Sequence, residues 1–347
     1  MTNPVVLRVL LALIVAGCIA GIVNSRSERA EFTIRIAFLA SKDDEDYFGA
    51  MAFKRYVEER LPGRVSVQVF PSGQYCGSER ECIEALQSGT LEMHQTTIGG
   101  LAGLYGPAQA LDLPYLFPSD AVAECVLDGP IVREMGDSIL AQGLGLKLMA
   151  IGNTGGWRSF AMRDVRIRGV ADLAGRRIRT LPSAMEQQMV RELGASPMPL
   201  PFSELYSALN AGLLDGTKNS IQDVVGQKLH DHIRYLFVDR HSYMTAMWWY
   251  SDKRWQVLPP DVQAVVGQGF RALAIETRAA AARREAPALE EFRRRGGTVD
   301  IATDAQRAEF KAATLPLRDW YAERYGTTWL TRLDQAVAAC EAGRPQA

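Results

Sequence analysis

The sequence predicts a two-lobed α/β protein, and three observations carry that prediction: strands and helices alternate from Phe32, the pattern restarts around Gly152, and one helical run from about Pro260 to Arg295 is longer than a lobe is wide. A length of 347 residues also favours two domains over a single core. The composition is that of a globular chain. Its 39 Lys+Arg against 40 Asp+Glu leave a formal charge of -1, so there is no basic field to hold nucleic acid. A small partner fits this balance better than a polyanion.

The first element is not globular. Arg8 precedes the apolar run Val9 to Val23, which only Gly17, Cys18 and Gly21 interrupt, and a polar stretch follows. This is the pattern of a secretory signal, and it is short for a span of about 20 residues, although an uncleaved anchor is an alternative. Val15, Ala16, Gly17 and Cys18 resemble a bacterial lipobox, in which Cys18 would be lipidated; ordinary cleavage near Ala20 or Ala30 is the competing reading. Residues 1–30 are therefore read as a signal peptide or anchor, and the rest as exported to the periplasm. There Cys76, Cys82, Cys125 and Cys340 meet an oxidising environment. Six residues of continuous helix rise about 9 Å, too far for a disulfide, but Cys76 lies before the helix cap and can curl back to Cys82. No CxxC and no metal-site spacing occur, so neither redox chemistry nor structural zinc is expected, and no cofactor is implied.

The first lobe opens with strand-like Thr33 to Leu39, helical spacing from Phe48 to Arg60, and a second alternating run, Val65 to Phe70. Ser78 with Glu81 reads as a capping box for the helix Glu79 to Gln87, which Gly89 ends. Leu91 to Thr97 is the next strand. The restart comprises the strand Leu146 to Gly152, a break at Gly155 and Gly156, the strand Arg176 to Leu181, and a second capping box formed by Ser183 and Glu186. A helix Ser203 to Ala211 and a strand or loop Leu213 to Asn219 follow, and His241 to Ser251 returns the chain to the first lobe. From Pro260 a continuous helix to Arg295 would measure about 54 Å, against a lobe diameter of about 40 Å. Pro287 is expected to bend or end it. Lobe I thus takes 31–151 and 240–265, lobe II takes 152–239 and 266–335, and 336–347 form a tail. Crossing strands near Ala150 and Arg240, together with the long helix, join the lobes; one continuous sheet would speak against this division.

The stretch GWRSFAMRDVRIRGVADLAGRRIRTLPSAMEQQMVRELGASPMPLPFSELYSALNAGLLDGTKNS, Gly156 to Ser220, carries five ordered motifs. They are G-x-R-x-F, D-L-x-G-x-x-I-R, L-G-A-x-P, S-E-x-Y-x-A-L and G-x-x-D-G-x-x-N. In that order they resemble the second lobe of the solute-binding proteins of TRAP (tripartite ATP-independent periplasmic) transporters, the DctP type. The first lobe is similar at Val69 to Gln74, at Gly89 with Leu91, and at Asp112 to Phe117. The resemblance implies a periplasmic binding protein-like fold that closes on a small organic acid and delivers it to the small and large permease subunits for ion-coupled uptake. It implies no catalysis. It places Arg179 as the two-pronged partner of the ligand carboxylate, Arg158 as a second cation and Asn219 as a polar contact; Trp157 is the weakest candidate, an aromatic at the cleft. A planar guanidinium matches two carboxylate oxygens and keeps its charge when buried. Two departures stand out. Lys218 replaces an acid beside the site, where a return to Glu is expected to have a modest, ligand-dependent effect, and the loop Ser41 to Asp46 is acidic.

Without the resemblance, the same residues have plainer readings. Arg177 and Arg179 share a strand face and would be surface arginines. Arg158 among glycine and aromatic residues would form an internal ion pair, and Asn219 would cap a turn. An enzyme finds no G-x-S-x-G elbow, H-E-x-x-H or phosphate loop here, and His230 and His232 are too close in sequence to share a helix face. A ligand-binding sensor domain is the other alternative.

Overall fold

The computed structural model describes residues 30–343; the apolar leader with Cys18 and residues 344–347 lie outside them. Strand β1 (Phe32–Ala37), helix α1 (Glu45–Arg60), β2 (Val65–Phe70), α2 (Glu79–Ser88) and β3 (Met93–Thr97) form the first α/β run. Helices α3 (Asp120–Leu127) and α4 (Pro130–Leu140) lead to the 17-residue strand β4 (Leu146–Met162). The second run is β5 (Arg177–Thr180), α5 (Ala184–Glu192), β6 (Ser196–Pro199), α6 (Leu205–Asn210), β7 (Gly216–Asn219) and α7 (Ile221–Gly226). A second 17-residue strand, β8 (Tyr235–Ser251), precedes α8 (Pro260–Arg294), β9 (Thr298–Ile301) and three C-terminal helices, α9 (Asp304–Thr314), α10 (Pro316–Tyr325) and α11 (Thr328–Glu341).

The two long strands set the architecture. They pair antiparallel along their length, β3 with β1 and β2 extending one end of β8, and β7 with β5 and β6 extending the far end of β4. In hydrogen-bonding terms this makes one ladder, β2-β1-β3-β8-β4-β7-β5-β6, with β9 beside β8. The expectation of a ladder interrupted between the lobes is therefore corrected. The fold is two-lobed because each crossing strand serves one set of neighbours with its first half and another with its second. Between the halves the register breaks, from Asn153 to Trp157. Gly155 and Gly156 sit in that break at φ 122° and 88°, and a Cβ on Gly155 would lie 2.8 Å from Ser220 Oγ. Only glycine fits both demands.

Helix α8 runs through 35 residues, about 52 Å, with Pro287 inside it; of the two effects expected of that proline it does not end the helix, which takes the span expected to about Arg295. It lies against α1 and β4 and further along against α7 and β9. Phe270 belongs to the apolar cluster with Ile34, Phe53 and Trp248, whereas Phe292 belongs to the one with Leu209, Ile221 and Leu236. One helix thus buries a face in each lobe, which explains why it must be so long. The residues read as a tail from 336 are also corrected: α11 continues to Glu341 and packs on α3 and α4, with Leu333 and Ala336 buried. Disulfides join Cys76 to Cys82, as spacing allowed, and Cys125 to Cys340, fixing α11 to α3.

Candidate functional site

Residues from both runs enclose a cavity of about 70 Å³. Its walls are the loop after β1 and the start of α1, the start of α2, β3, the post-bulge part of β4, β5 and the β7–α7 junction. Arg158, Arg179 and Asn219 all line it.

Arg179 is 3% exposed. Its Nε and Nη2 donate to the Leu200 carbonyl at 3.0 and 2.8 Å, and the guanidinium stands 5.8 Å from the Phe202 ring. Burial pushes its pKa down to about 10, still charged at neutral pH. Among the described residues no carboxylate forms an ion pair with it. Arg177, on the same strand face, pairs with Asp215 and stays half exposed. The two arginines thus divide between the plain reading and the site reading.

Arg158 follows the glycine bulge, which turns its side chain into the cavity, and is 5% exposed. It donates to Glu186, and the other Glu186 oxygen receives Lys218 Nζ at 2.7 Å and the Leu181 amide at 2.9 Å. Burial would raise the Glu186 carboxyl, but Arg158 and Lys218 outweigh it and hold the group well below the usual range. Burial lowers Lys218 to about 8 despite Glu186, and raises the nearby Asp112 to about 6. The second capping box is therefore only half present. Ser183 Oγ accepts from the Glu186 amide, while the Glu186 side chain serves as counter-ion to two buried cations. Lys218 is likewise relocated: at 3% exposure it faces Glu186 and does not line the cavity, so Lys218→Glu would set two buried carboxylates against each other, where a modest effect was expected.

Asn219 Oδ1 accepts from Thr217 at 2.7 Å, and Nδ2 donates to Asp223 at 2.9 Å, which orients its amide along the cavity wall. Trp157 does not join this group. Neighbours along a strand point to opposite faces, so a strand that sends Arg158 inward sends Trp157 away. Its indole Nε1 donates to Asp120 at 2.9 Å, its ring packs edge-on to Tyr243, and it lines a different pocket, of about 360 Å³, beside Arg240. Residues that the motifs did not single out complete the cavity: Asp46, Glu79, Gln95, Thr154 and Asp223. The acidic loop was visible in sequence, but its convergence with Glu79 and Gln95 was not.

Residues 36–324 match the family described as bacterial extracellular solute-binding protein, family 7, DctP. The chain belongs to this family. Among curated relatives it is 27% identical over 302 residues to the 2,3-diketo-L-gulonate-binding periplasmic protein YiaO of Escherichia coli K12, covering 87% of this chain and 89% of that one. It is 25% identical over 345 residues to the C4-dicarboxylate-binding periplasmic protein DctP of Rhodobacter capsulatus, with 95% and 98% covered. Among solved structures, a TRAP periplasmic solute-binding protein from Desulfovibrio salexigens with bound orotic acid superposes with a TM-score of 0.83 at 26% identity, covering 89% of this chain and 99% of that one. As a family 7 member this chain carries a two-lobed solute-binding fold, and the cavity that holds Arg179 lies where the two runs meet.

Proposed function

We propose that this family 7 protein captures one small organic acid between its lobes in the periplasm and hands it unchanged to the small and large subunits of a TRAP permease. One observation carries the reading: a buried, charged Arg179 lines the cavity between the two runs with a backbone carbonyl as its partner and, among the described residues, no carboxylate in an ion pair with it. A guanidinium desolvated in that way is favourable only if an anion completes it. Arg158 stands beside it as the second cation, and Asn219 supplies an amide. The relatives support the chemistry, since 2,3-diketogulonate, C4-dicarboxylates and orotate all carry a carboxylate.

The output is closure, not turnover. A ligand that touches both walls shifts the equilibrium from open to closed, and the closed face is what a permease recognises. Calorimetry and thermal shift against a panel of organic acids test this directly. The expected result is one carboxylate bound per chain with no change in the ligand; stabilisation by a non-acidic solute alone, or consumption of the bound acid, would overturn it.

A further inference from the structure

The capture of a carboxylate by Arg179 leaves an acidic part of the lining unused: Asp44, Asp46, Glu79 and Asp223 line the same cavity. Asp223 accepts from Asn219, and Asp44 caps α1 by accepting from the Asp46 amide. Asp46 is different. It is 1% exposed, its Oδ2 accepts from Thr154 across the cavity at 2.9 Å, and its Oδ1 is buried with no partner. Gln95, 6% exposed on the same wall, has an unpartnered Nε2. No lysine, arginine or histidine among the described residues forms an ion pair with any of the four acids. Of the neighbouring cations, Arg158 and Lys218 are paired with Glu186 and Arg284 with Glu45, while Arg179 feels Glu79 and Asp223 without an ion pair to either.

This arrangement discriminates among acids. A second carboxylate on the ligand would sit beside Asp46 and Glu79 only with those acids protonated, since like charges repel once they ionise. An ammonium supplies three donors and the missing positive charge. The cavity of about 70 Å³ has room for about five to seven water-sized spheres at about 10–15 Å³ each, which suits a compact ligand.

We propose that the ligand is a compact zwitterion, an amino carboxylate whose carboxylate meets Arg179 and whose ammonium sits against Asp46 and Glu79. The proposal rests on carboxylate capture by Arg179 and names the chemistry of the ligand's other end. The protonation of the acidic wall agrees with it. Burial raises Glu79 to about 7, burial with Glu45 and Asp223 raises Asp44 to about 8, and burial with Asp44 raises Asp46. Glu45 and Asp223 are raised by burial too, and Asp112 lies near Arg158 and Lys218. An incoming ammonium needs these acids ionised, so it releases protons and binds more tightly as pH rises from 6 to 8. An anionic second end needs them protonated and shows the opposite slope.

The experiment is calorimetry at pH 6 and pH 8, in buffers of different ionisation enthalpy, with β-alanine, 4-aminobutanoate, 5-aminopentanoate, their hydroxy counterparts, succinate and galactonate. At least one amino acid is expected to bind tenfold or more tightly than its hydroxy counterpart and than succinate, with proton release and higher affinity at pH 8. Asp46→Asn keeps the Thr154 contact and, like Glu79→Gln, should reduce the preference to about threefold or less, with folding checked by circular dichroism. Binding of succinate or galactonate without any amino acid overturns the zwitterion and leaves carboxylate capture standing. Failure of every carboxylate overturns both. A preference that survives both substitutions removes the acidic wall from the site.

Discussion

The two walls of the cavity treat buried charge in opposite ways. On the β4–β5–β7 side the buried cations have fixed neighbours: Glu186 holds Arg158 and Lys218, and the Leu200 carbonyl holds Arg179. On the α1–α2 side Asp44, Asp46 and Glu79 form no ion pair among the described residues, and burial raises all three against the nearby charges of Arg179 and Arg158 on Glu79 and of Arg284 on Asp44. On the first wall the donors are held in place and Arg179 alone awaits an anion; on the second the acids themselves await a partner. Preorganisation on one side gives a fixed docking point, and an incomplete opposite side gives the ligand something to stabilise by closing the cleft.

The largest way to break this contrast is to remove the organiser of the first wall. Glu186→Gln strands two buried cations, and breaking a buried pair costs about 3–5 kcal/mol. Urea unfolding should show a loss of that size, and adding Lys218→Met should recover part of it. A variant as stable as the parent would mean that Arg158 and Lys218 do not depend on Glu186. Next in size is Arg179→Ala. Each charge-assisted hydrogen bond is worth about 1.5–3 kcal/mol, so losing a two-pronged contact should weaken the bound acid at least about a hundredfold by calorimetry. Arg179→Lys keeps the charge and loses the fork, and should remain impaired. An unchanged dissociation constant in Arg179→Ala would remove the arginine from the site.

How much of this was legible depends on how local the signal is. The alternation of elements, the break at Gly155 and Gly156 and the long helix are written in adjacent residues, and each is present in the fold. Arg179 was a surface arginine by pattern alone, and only the ordered motifs around it pointed inward. Glu186 was hidden by a correct local reading: three residues after Ser183 it looks like a cap, and its partners come from strands 28 and 32 residues away, Arg158 and Lys218. Lys218 read as a substitution at the edge of the site for the same reason. The pairing of Cys125 with Cys340 spans 215 residues and rests on α11 folding back over α3, which no spacing rule reports. Trp157 is the exception. Its neighbour's inward direction was enough to exclude it, because the period of a strand is two.

That exclusion yields the smallest expected effect and marks the edge of the site. Trp157 meets Tyr243 edge-on with ring centroids 5.2 Å apart, and its Nε1 donates to Asp120, all on the face of β4 turned from Arg158. Trp157→Phe keeps an aromatic ring for Tyr243 and loses one hydrogen bond, which is worth about 1 kcal/mol of stability. Nothing in the change reaches Arg158, whose direction is set by the backbone of the glycine bulge and whose charge is held by Glu186. The dissociation constant for the bound acid should therefore stay within about twofold of the parent while the unfolding midpoint falls slightly. A tenfold loss of affinity at unchanged stability would show that the indole face of β4 contributes to binding, and the division of the strand into a ligand face and a packing face would fail.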